Sequence, residues 1–239
     1  MSARFACFVT GTDTGVGKSL VSAALLHLLV EGGFGAVGMK PVAAGAVLVD
    51  GRLVNDDVEQ LAAAGNLSLP AALRAPYILH AAAAPHIAAA RDGVTVSLEH
   101  LLDCYHQLAA SAETVVVEGV GGFCVPLSDE ADTADLAQRL GLPVVLVVGM
   151  RLGCLSHALL TAEAIRSRGL NLAGWVANLI EPDMEYLTDN IAALVARLDA
   201  PLLGVLPGLG PHASAADASP HLEAGLLTGW PVSEKNTNR

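Results

Sequence analysis

The run Gly11-Thr-Asp-Thr-Gly-Val-Gly-Lys-Ser19 constrains this chain more than any other stretch. Residues 5–10 ahead of it form a short apolar run that reads as a buried strand. Residues 20–30 behind it are apolar at helical spacing and stop before Gly32-Gly33. A strand, a glycine-rich turn and a helix opening on Lys-Ser together make a phosphate-binding loop. Glycines let the backbone wrap so that successive N–H groups face one concavity, and the helix N-terminus adds partial positive charge there. In this reading Lys18 reaches the β- and γ-phosphates and the Ser19 hydroxyl reaches Mg²⁺. Five residues separate Gly11 from Gly17, so the loop is one residue longer than the usual form. The expected ligand is a nucleoside triphosphate.

A chain of 239 residues accommodates one large domain or two small ones, and no composition break or internal repeat marks a second. The expectation is one domain over 1–239, with a core at 1–208 and a tail at 209–239 in which no element is assigned. Hydrophobic residues make up 53% of the chain but aromatics only 4%, so small aliphatic side chains must do the packing, as where helices lie close on a sheet. A net charge of −11 argues against nucleic acid or an anionic membrane as partner. Cys7, Cys104, Cys124 and Cys154 lie far apart without metal-ligand spacing and read as reduced thiols. No apolar stretch is long enough to span a membrane and no leader precedes the first strand, so a soluble cytoplasmic protein is expected.

Further strands are expected at 36–40, 114–117, 143–148, 174–178 and 202–206. Helices are expected from Asn55-Asp56-Asp57 through Ala64, from 84–87 onward, and at 95–111, 133–140, 154–168 and 184–198. Residues 42–55 read as turn-rich around Asp50-Gly51, and 66–93 as a Pro- and Ala-rich connection. Strands alternating with helices predict an α/β fold: a mostly parallel, doubly wound sheet with helices on both faces, like that of P-loop nucleotide triphosphatases. Ligands sit at the carboxyl ends of strands in such folds, and Lys40, Glu118 and Asn178 fall there beside the loop.

Each of those residues admits two readings. Glu118, followed by Gly119-Val-Gly-Gly122, can hold Mg²⁺ or simply be solvated. Lys40 is a site cation or a surface lysine. Asp56 and Asp57 can face a metal or cap a helix opened at Asn55. Asn178 can meet a nucleobase or close a turn. His80 and His86 are better explained as structural.

Taken together, the motifs resemble the dethiobiotin synthetases. The resemblance covers residues 5 to about 208. It runs through the long phosphate loop, Lys40-Pro-Val-Ala-Ala-Gly45, Asn55-Asp-Asp57, Pro85-His-Ile87 and Val117-Glu-Gly-Val-Gly-Gly122, and continues through Pro126-Leu-Ser-Asp129, Leu142-Pro-Val-Val-Leu-Val-Val-Gly149, Leu152-Gly-Cys154 and Gly174-Trp-Val-Ala-Asn178. It implies ring closure of 7,8-diaminopelargonate with CO₂ and MgATP, giving dethiobiotin, ADP and phosphate, in a homodimer. Carried over by position, Lys18 and Lys40 act on the phosphoryl group and carbamate. Ser19, Asp57 and Glu118 hold Mg²⁺. Gly15, Val16, Gly17, Lys18, Ser19 and Leu20 cradle the phosphates, with Gly119, Val120 and Gly121 beside the nucleotide. Asn178 with Leu206, Pro207 and Gly208 borders adenine. Thr14 and Ala44 lie near the substrate, and Gly153 and Cys154 near its carboxylate across the dimer interface.

The chain departs from relatives at three positions: Gly15 where some have Glu, Ala44 where Ser is frequent, and Leu179 where some have an acid. Two rivals share the broad fold. Nucleotide-switch ATPases often carry an extra lysine early in the loop, and none occurs between Gly11 and Gly17. Amidotransferase-type synthetases add a glutaminase domain for which this length leaves little room.

Overall fold

The computed structural model describes residues 3–210 and 212–232. The elements follow in order: β1 (Phe5–Gly11), α1 (Lys18–Glu31), β2 (Ala36–Met39), β3 (Val42–Ala44), β4 (Val47–Val49), β5 (Arg52–Val54), α2 (Asp56–Ala64), α3 (Ala71–Arg74), β6 (Tyr77–Leu79), α4 (Pro85–Arg91), α5 (Leu98–Ser111), β7 (Thr114–Glu118), α6 (Thr133–Leu140), β8 (Val144–Gly149), α7 (Cys154–Ser167), β9 (Leu172–Asn178), α8 (Leu187–Leu198), β10 (Leu202–Leu206) and α9 (Ala215–Ala218).

Six strands form a wholly parallel sheet in the order β10-β9-β8-β1-β7-β2. Parallel strands covered on both faces need near-continuous apolar sequence. In β8, Val144, Leu146 and Val148 pack into one face while Val145 and Val147 pack into the other. β1 divides in the same way, Phe8 to the first face and Cys7 and Val9 to the second. The chain leaves β1 for β2 on one side and later crosses to β8 on the other, so the crevice at the carboxyl end of β1 is a topological switch point.

α1 lies against the second face with Val21, Leu25, Leu26 and Leu29 buried. A helix apolar nearly all round needs a cover on its outer side as well. α2 and the C-terminal segment supply it. Ala218, Leu222, Ala224 and Leu227 join the core cluster of α1, and Trp230 stacks edge-on against Phe5 with ring centroids 5.2 Å apart. Leu222 also bridges Gly204 in antiparallel fashion, and Glu223 N–H donates to the Leu203 carbonyl at 2.6 Å, so the open side of β10 is covered.

Local chemistry moves several boundaries from their expected places. Ser97 caps α5 by accepting the His100 N–H at 3.3 Å, which starts that helix at Leu98 rather than 95. α8 begins at Leu187 rather than 184, and α1 begins at Lys18 rather than 20. Within 42–55 the turn at Asp50-Gly51 closes a small hairpin of β4 and β5, and β3 pairs with β6. The four cysteines are free, three of them buried.

Candidate active site

The phosphate loop leaves β1 with its first turn tied to the neighbouring strand, because Thr12 N–H donates to the Val147 carbonyl at 3.0 Å. It ends at Gly17, which is left-handed at φ 91° and forms the N-cap of α1. α2, α5, α6 and α9 each have a side-chain cap from Asn55, Ser97, Asp132 or Ser214, whereas α1 has none and no acid in its first turn. The first N–H groups of α1 therefore remain available to an anion, at the positive end of the helix dipole. Lys18, almost fully buried, donates from Nζ to the Asp13 carbonyl at 2.8 Å.

Asn178, at the end of β9, donates from Nδ2 to the Val16 carbonyl at 2.9 Å. Its amide NH₂ thus clamps the loop from across the sheet, and Oδ1 accepts no hydrogen bond among the described residues. A Cβ on Gly17 would collide with that amide as well as strain a positive φ. Gly17→Ala is expected to weaken MgADP binding by about tenfold or more. Calorimetry checks this, and an unchanged dissociation constant contradicts it.

Lys40 follows β2 and is 3% exposed, yet all three ammonium protons are satisfied. Nζ donates to Asp57 Oδ2 at 2.7 Å, to Glu118 Oε1 at 2.6 Å and to the Gly119 carbonyl at 3.2 Å. Burial works against its charge, but the Glu118 and Asp57 carboxylates outweigh that and hold Lys40 above the ordinary lysine value. Burial likewise opposes the Asp57 charge, and Lys40 beside it reverses the balance and lowers the carboxyl below its usual range. Asp56 is exposed and Asn55 caps α2, so the pair divides its labour: Asp57 faces Lys40. Glu118, fully buried at the end of β7, accepts the Ser19 hydroxyl on Oε1 at 2.8 Å. Its other oxygen, Oε2, is buried with no hydrogen-bond partner among the described residues.

With Glu118 buried behind them, Lys18, Ser19, Lys40, Asp57 and Asn178 line a cavity of about 970 Å³ at the carboxyl ends of the strands. Thr14, Gly15, Gly17, Lys18, Ser19, Leu20, Lys40, Ala44, Asp57, Val120, Gly121 and Asn178 all contribute to its wall. Val16 lies buried behind the loop, and Gly119 takes part through its carbonyl. The remaining expected residues sit elsewhere. Leu206 is buried in β10 next to Asn178, with Pro207 and Gly208 following, but the wall on that side is built by Gly210 and Ala213. Gly153 and Cys154 open α7 outside this cavity, Cys154 being buried. His80 and His86 do not line it.

Asp13 and Arg151 escaped the sequence reading of the site; they pair at 2.5 Å on the rim. The signal that singled out Lys40 and Glu118 applies equally to Arg151, a charge just past the carboxyl end of the buried strand β8.

A family model described as an AAA domain matches residues 6–214. The ATP-dependent dethiobiotin synthetase BioD of Janthinobacterium sp. (strain Marseille) is 55% identical over 235 residues, covering 97% of this chain and 99% of that protein. Its counterpart from Ralstonia nicotianae (strain ATCC BAA-1114 / GMI1000) is 54% identical over 227 residues, covering 95% and 99%. This chain belongs to the dethiobiotin synthetase family. The fold is shared more widely. A ParA family ATPase from Chlorobium tepidum TLS superposes with a TM-score of 0.56 at 12% identity, covering 92% of this chain and 91% of that one. The cell division protein MinD of Aquifex aeolicus gives 0.53 at 14% identity, covering 96% and 92%. At such identities the likeness is one of architecture only.

Membership in a family of ATP-dependent enzymes implies nucleotide use, and the charge state of Lys18 then matters. Burial and the nearby Lys40 charge push Lys18 down to about 8, against the opposing pull of Glu118, Asp57 and Asp13. An uncharged lysine cannot neutralise phosphate, so kcat/KM for MgATP is expected to fall as pH rises through about 8. The sign for stability is opposite. The folded state releases this proton before the unfolded chain does, so Lys18 makes folding more favourable as pH climbs from there toward the ordinary lysine value. A pH series of initial rates at limiting MgATP, with thermal unfolding in parallel, reads both. No alkaline limb below pH 9 contradicts the assignment.

Proposed function

We propose that this chain is an ATP-dependent dethiobiotin synthetase acting on 7,8-diaminopelargonate and CO₂. The observation that carries the reading is the convergence of two buried ammonium groups on one cavity, Lys18 on the phosphate loop and Lys40 on a carboxylate pair. A reaction that joins a triphosphate to a carbamate brings two anions together, and two fixed cations offset their repulsion.

One amine of the diamine adds to CO₂ and loses a proton, leaving a carbamate. A carbamate oxygen attacks the γ-phosphorus and expels ADP. The second amine then attacks the carbamoyl carbon, the C–O bond to phosphate breaks, and the ureido ring closes with loss of a proton and phosphate. Lys18 stays with the phosphoryl group being transferred and Lys40 steadies the carbamate. The backbone of Gly15, Val16, Gly17, Ser19 and Leu20 cradles the phosphates, with Gly119, Val120 and Gly121 on the opposite wall.

Mg²⁺ fits the residues present. Glu118 Oε2 is a fully buried carboxylate oxygen with no donor, beside the Ser19 hydroxyl and near Asp57 through their shared partner Lys40. Among the described residues no cluster of three His, Cys, Asp or Glu side chains forms a metal cage. That suits an ion held by few protein oxygens together with phosphates and water. Ser19, Asp57 and Glu118 are the residues that would hold it, and Mg²⁺ bound there would supply charge neutralisation to the triphosphate.

Asn178 Oδ1, with Leu206, Pro207 and Gly208 behind it, is the proposed adenine border, and Leu179 offers the base no acid. Thr14 and Ala44 face the diamine. Gly15, whose added Cβ would meet open space, lends it no side chain. A homodimer is supported by two exposed leucines, Leu152 in the turn before α7 at 94% and Leu160 within α7 at 62%. The uncapped α7 N-terminus at Gly153 and Cys154 suits the substrate carboxylate of a partner subunit. We take the chain as one domain, since the segment after 208 packs on α1 and β10. A cytoplasmic setting agrees with the free cysteines and with the lack, among the described residues, of any helix long and apolar enough to cross a membrane.

Turnover of ¹⁸O-labelled bicarbonate tests the chemistry. Label recovered in inorganic phosphate, together with a cyclic urea, supports carbamate attack on phosphorus. Unlabelled phosphate contradicts it.

A further inference from the structure

Asp13 sits at the first bend of the phosphate loop and its three acceptors point three ways. Oδ1 accepts the Thr14 N–H at 2.7 Å, Oδ2 accepts Arg151 Nη2 at 2.5 Å, and the main-chain carbonyl accepts Lys18 Nζ at 2.8 Å. Arg151 belongs to the turn after β8, the strand paired with β1. That turn is itself fixed: Met150 N–H donates to the Asn178 carbonyl at 2.8 Å, and the Arg151 carbonyl accepts the Cys154 N–H at 3.0 Å. A short relay therefore runs from the sheet through Arg151 and Asp13 to the ammonium of Lys18.

The pair is half-exposed, Arg151 at 33% and Asp13 at 48%, and such pairs contribute little to folding. Its place suggests another use. The Asp13 carboxylate lines the cavity that receives a triphosphate, where an uncompensated anion repels substrate. The bond to Arg151 both neutralises that anion and fixes the peptide whose carbonyl orients Nζ.

On the synthetase reading given above, we propose that Arg151 is a positioning residue for Lys18, acting through Asp13. It holds the Asp13 carboxylate toward β8, keeps the Asp13 carbonyl aimed at Nζ, and screens the triphosphate from the Asp13 charge. Arg151 itself touches no reacting atom.

The test uses the full chain and four variants, Arg151→Ala, Arg151→Lys, Asp13→Asn and the Arg151→Ala/Asp13→Asn double. Arg151→Ala is expected to lower kcat/KM for MgATP and to weaken MgADP binding, each about tenfold, while KM for the diamine stays within about twofold. Arg151→Lys, which keeps a cation for Asp13, recovers most of the loss. The double variant loses no more than Arg151→Ala alone, rather than showing the product of two defects, because both act on one relay and Asp13→Asn removes the charge that Arg151→Ala leaves uncompensated. The melting temperature of each variant stays near that of the parent.

Unchanged nucleotide parameters in Arg151→Ala overturn the proposal. So does a defect carried by the diamine KM, which would make Arg151 a substrate contact, and so do multiplicative effects in the double variant. If the parent chain makes no cyclic urea, the synthetase reading fails, while MgADP calorimetry still decides the relay.

Discussion

Lys40→Ala is expected to lower turnover by about a thousandfold or more while MgADP binding stays measurable. Lys40 is 3% exposed, and its three protons are committed to Asp57, Glu118 and the Gly119 carbonyl. It therefore stands as a fixed positive charge that needs no reorganisation when negative charge builds on the transferring group. Lys18, held on the loop, continues to meet a bound nucleotide, so binding survives where chemistry does not. The same burial gives the variant a structural penalty. Removing the cation leaves Glu118 facing Asp57 without compensation, and breaking a buried pair in this way costs about 3–5 kcal/mol, with the lower end favoured because Asp57 is half-exposed. Kinetics are best read with Mg²⁺ present and well below the lowered melting temperature. Equal losses in turnover and in MgADP affinity contradict the role given to Lys40.

Glu118→Gln is expected to lower turnover about a hundredfold and to raise the Mg²⁺ concentration needed for half-maximal rate by about tenfold or more. The substitution keeps shape and volume, and an amide oxygen still accepts from Ser19 or Lys40. It removes the negative charge and replaces one carboxylate oxygen with an NH₂ donor, and Oε2 is the buried oxygen that lacks a partner. An NH₂ group in the Oε2 position cannot ligate a hard cation, and turning the amide oxygen there would aim the NH₂ at the Lys40 ammonium. A Mg²⁺ titration of initial rates decides the point. If the metal requirement is unchanged while turnover falls, Glu118 serves only to anchor Lys40.

The sheet was legible because buried parallel strands leave a plain signature. Residues 143–148 are continuously apolar, and β8 occupies nearly that stretch; for β10 and α6 the expected and observed bounds coincide. Helix starts were harder, since a three-residue offset at α5 depends on whether Thr95 or Ser97 turns its hydroxyl back to the chain. The hairpin of β4 and β5 and the pairing of β3 with β6 hid in a stretch of Gly, Ala and Val too short for periodicity to register. The C-terminal segment hid for a different reason. Its contacts with α1, β10 and Phe5 lie far away in sequence, and only the apolar outer surface of α1 hinted that something must cover it.

In the site, position at a strand's carboxyl end was the informative cue. It placed Lys40 and Asn178 in one cavity wall, with Glu118 buried behind it and bonded to Lys40 and Ser19. It did not tell that Asn178 spends its NH₂ on Val16, or that Asp57 rather than Asp56 faces Lys40. Those outcomes depend on side-chain direction around a left-handed glycine and within the first turn of α2, which spacing alone leaves open. Arg151 satisfies the same cue but lies between the Leu142–Gly149 and Leu152–Cys154 motifs and belongs to neither.

The most direct test of the synthetase account is ADP release with MgATP and bicarbonate, measured with and without 7,8-diaminopelargonate. The account predicts release that depends on the diamine and matches cyclic urea formation mole for mole. Release indifferent to the diamine, or appearing only with a protein partner, contradicts it and points to a nucleotide-switch ATPase on the same fold.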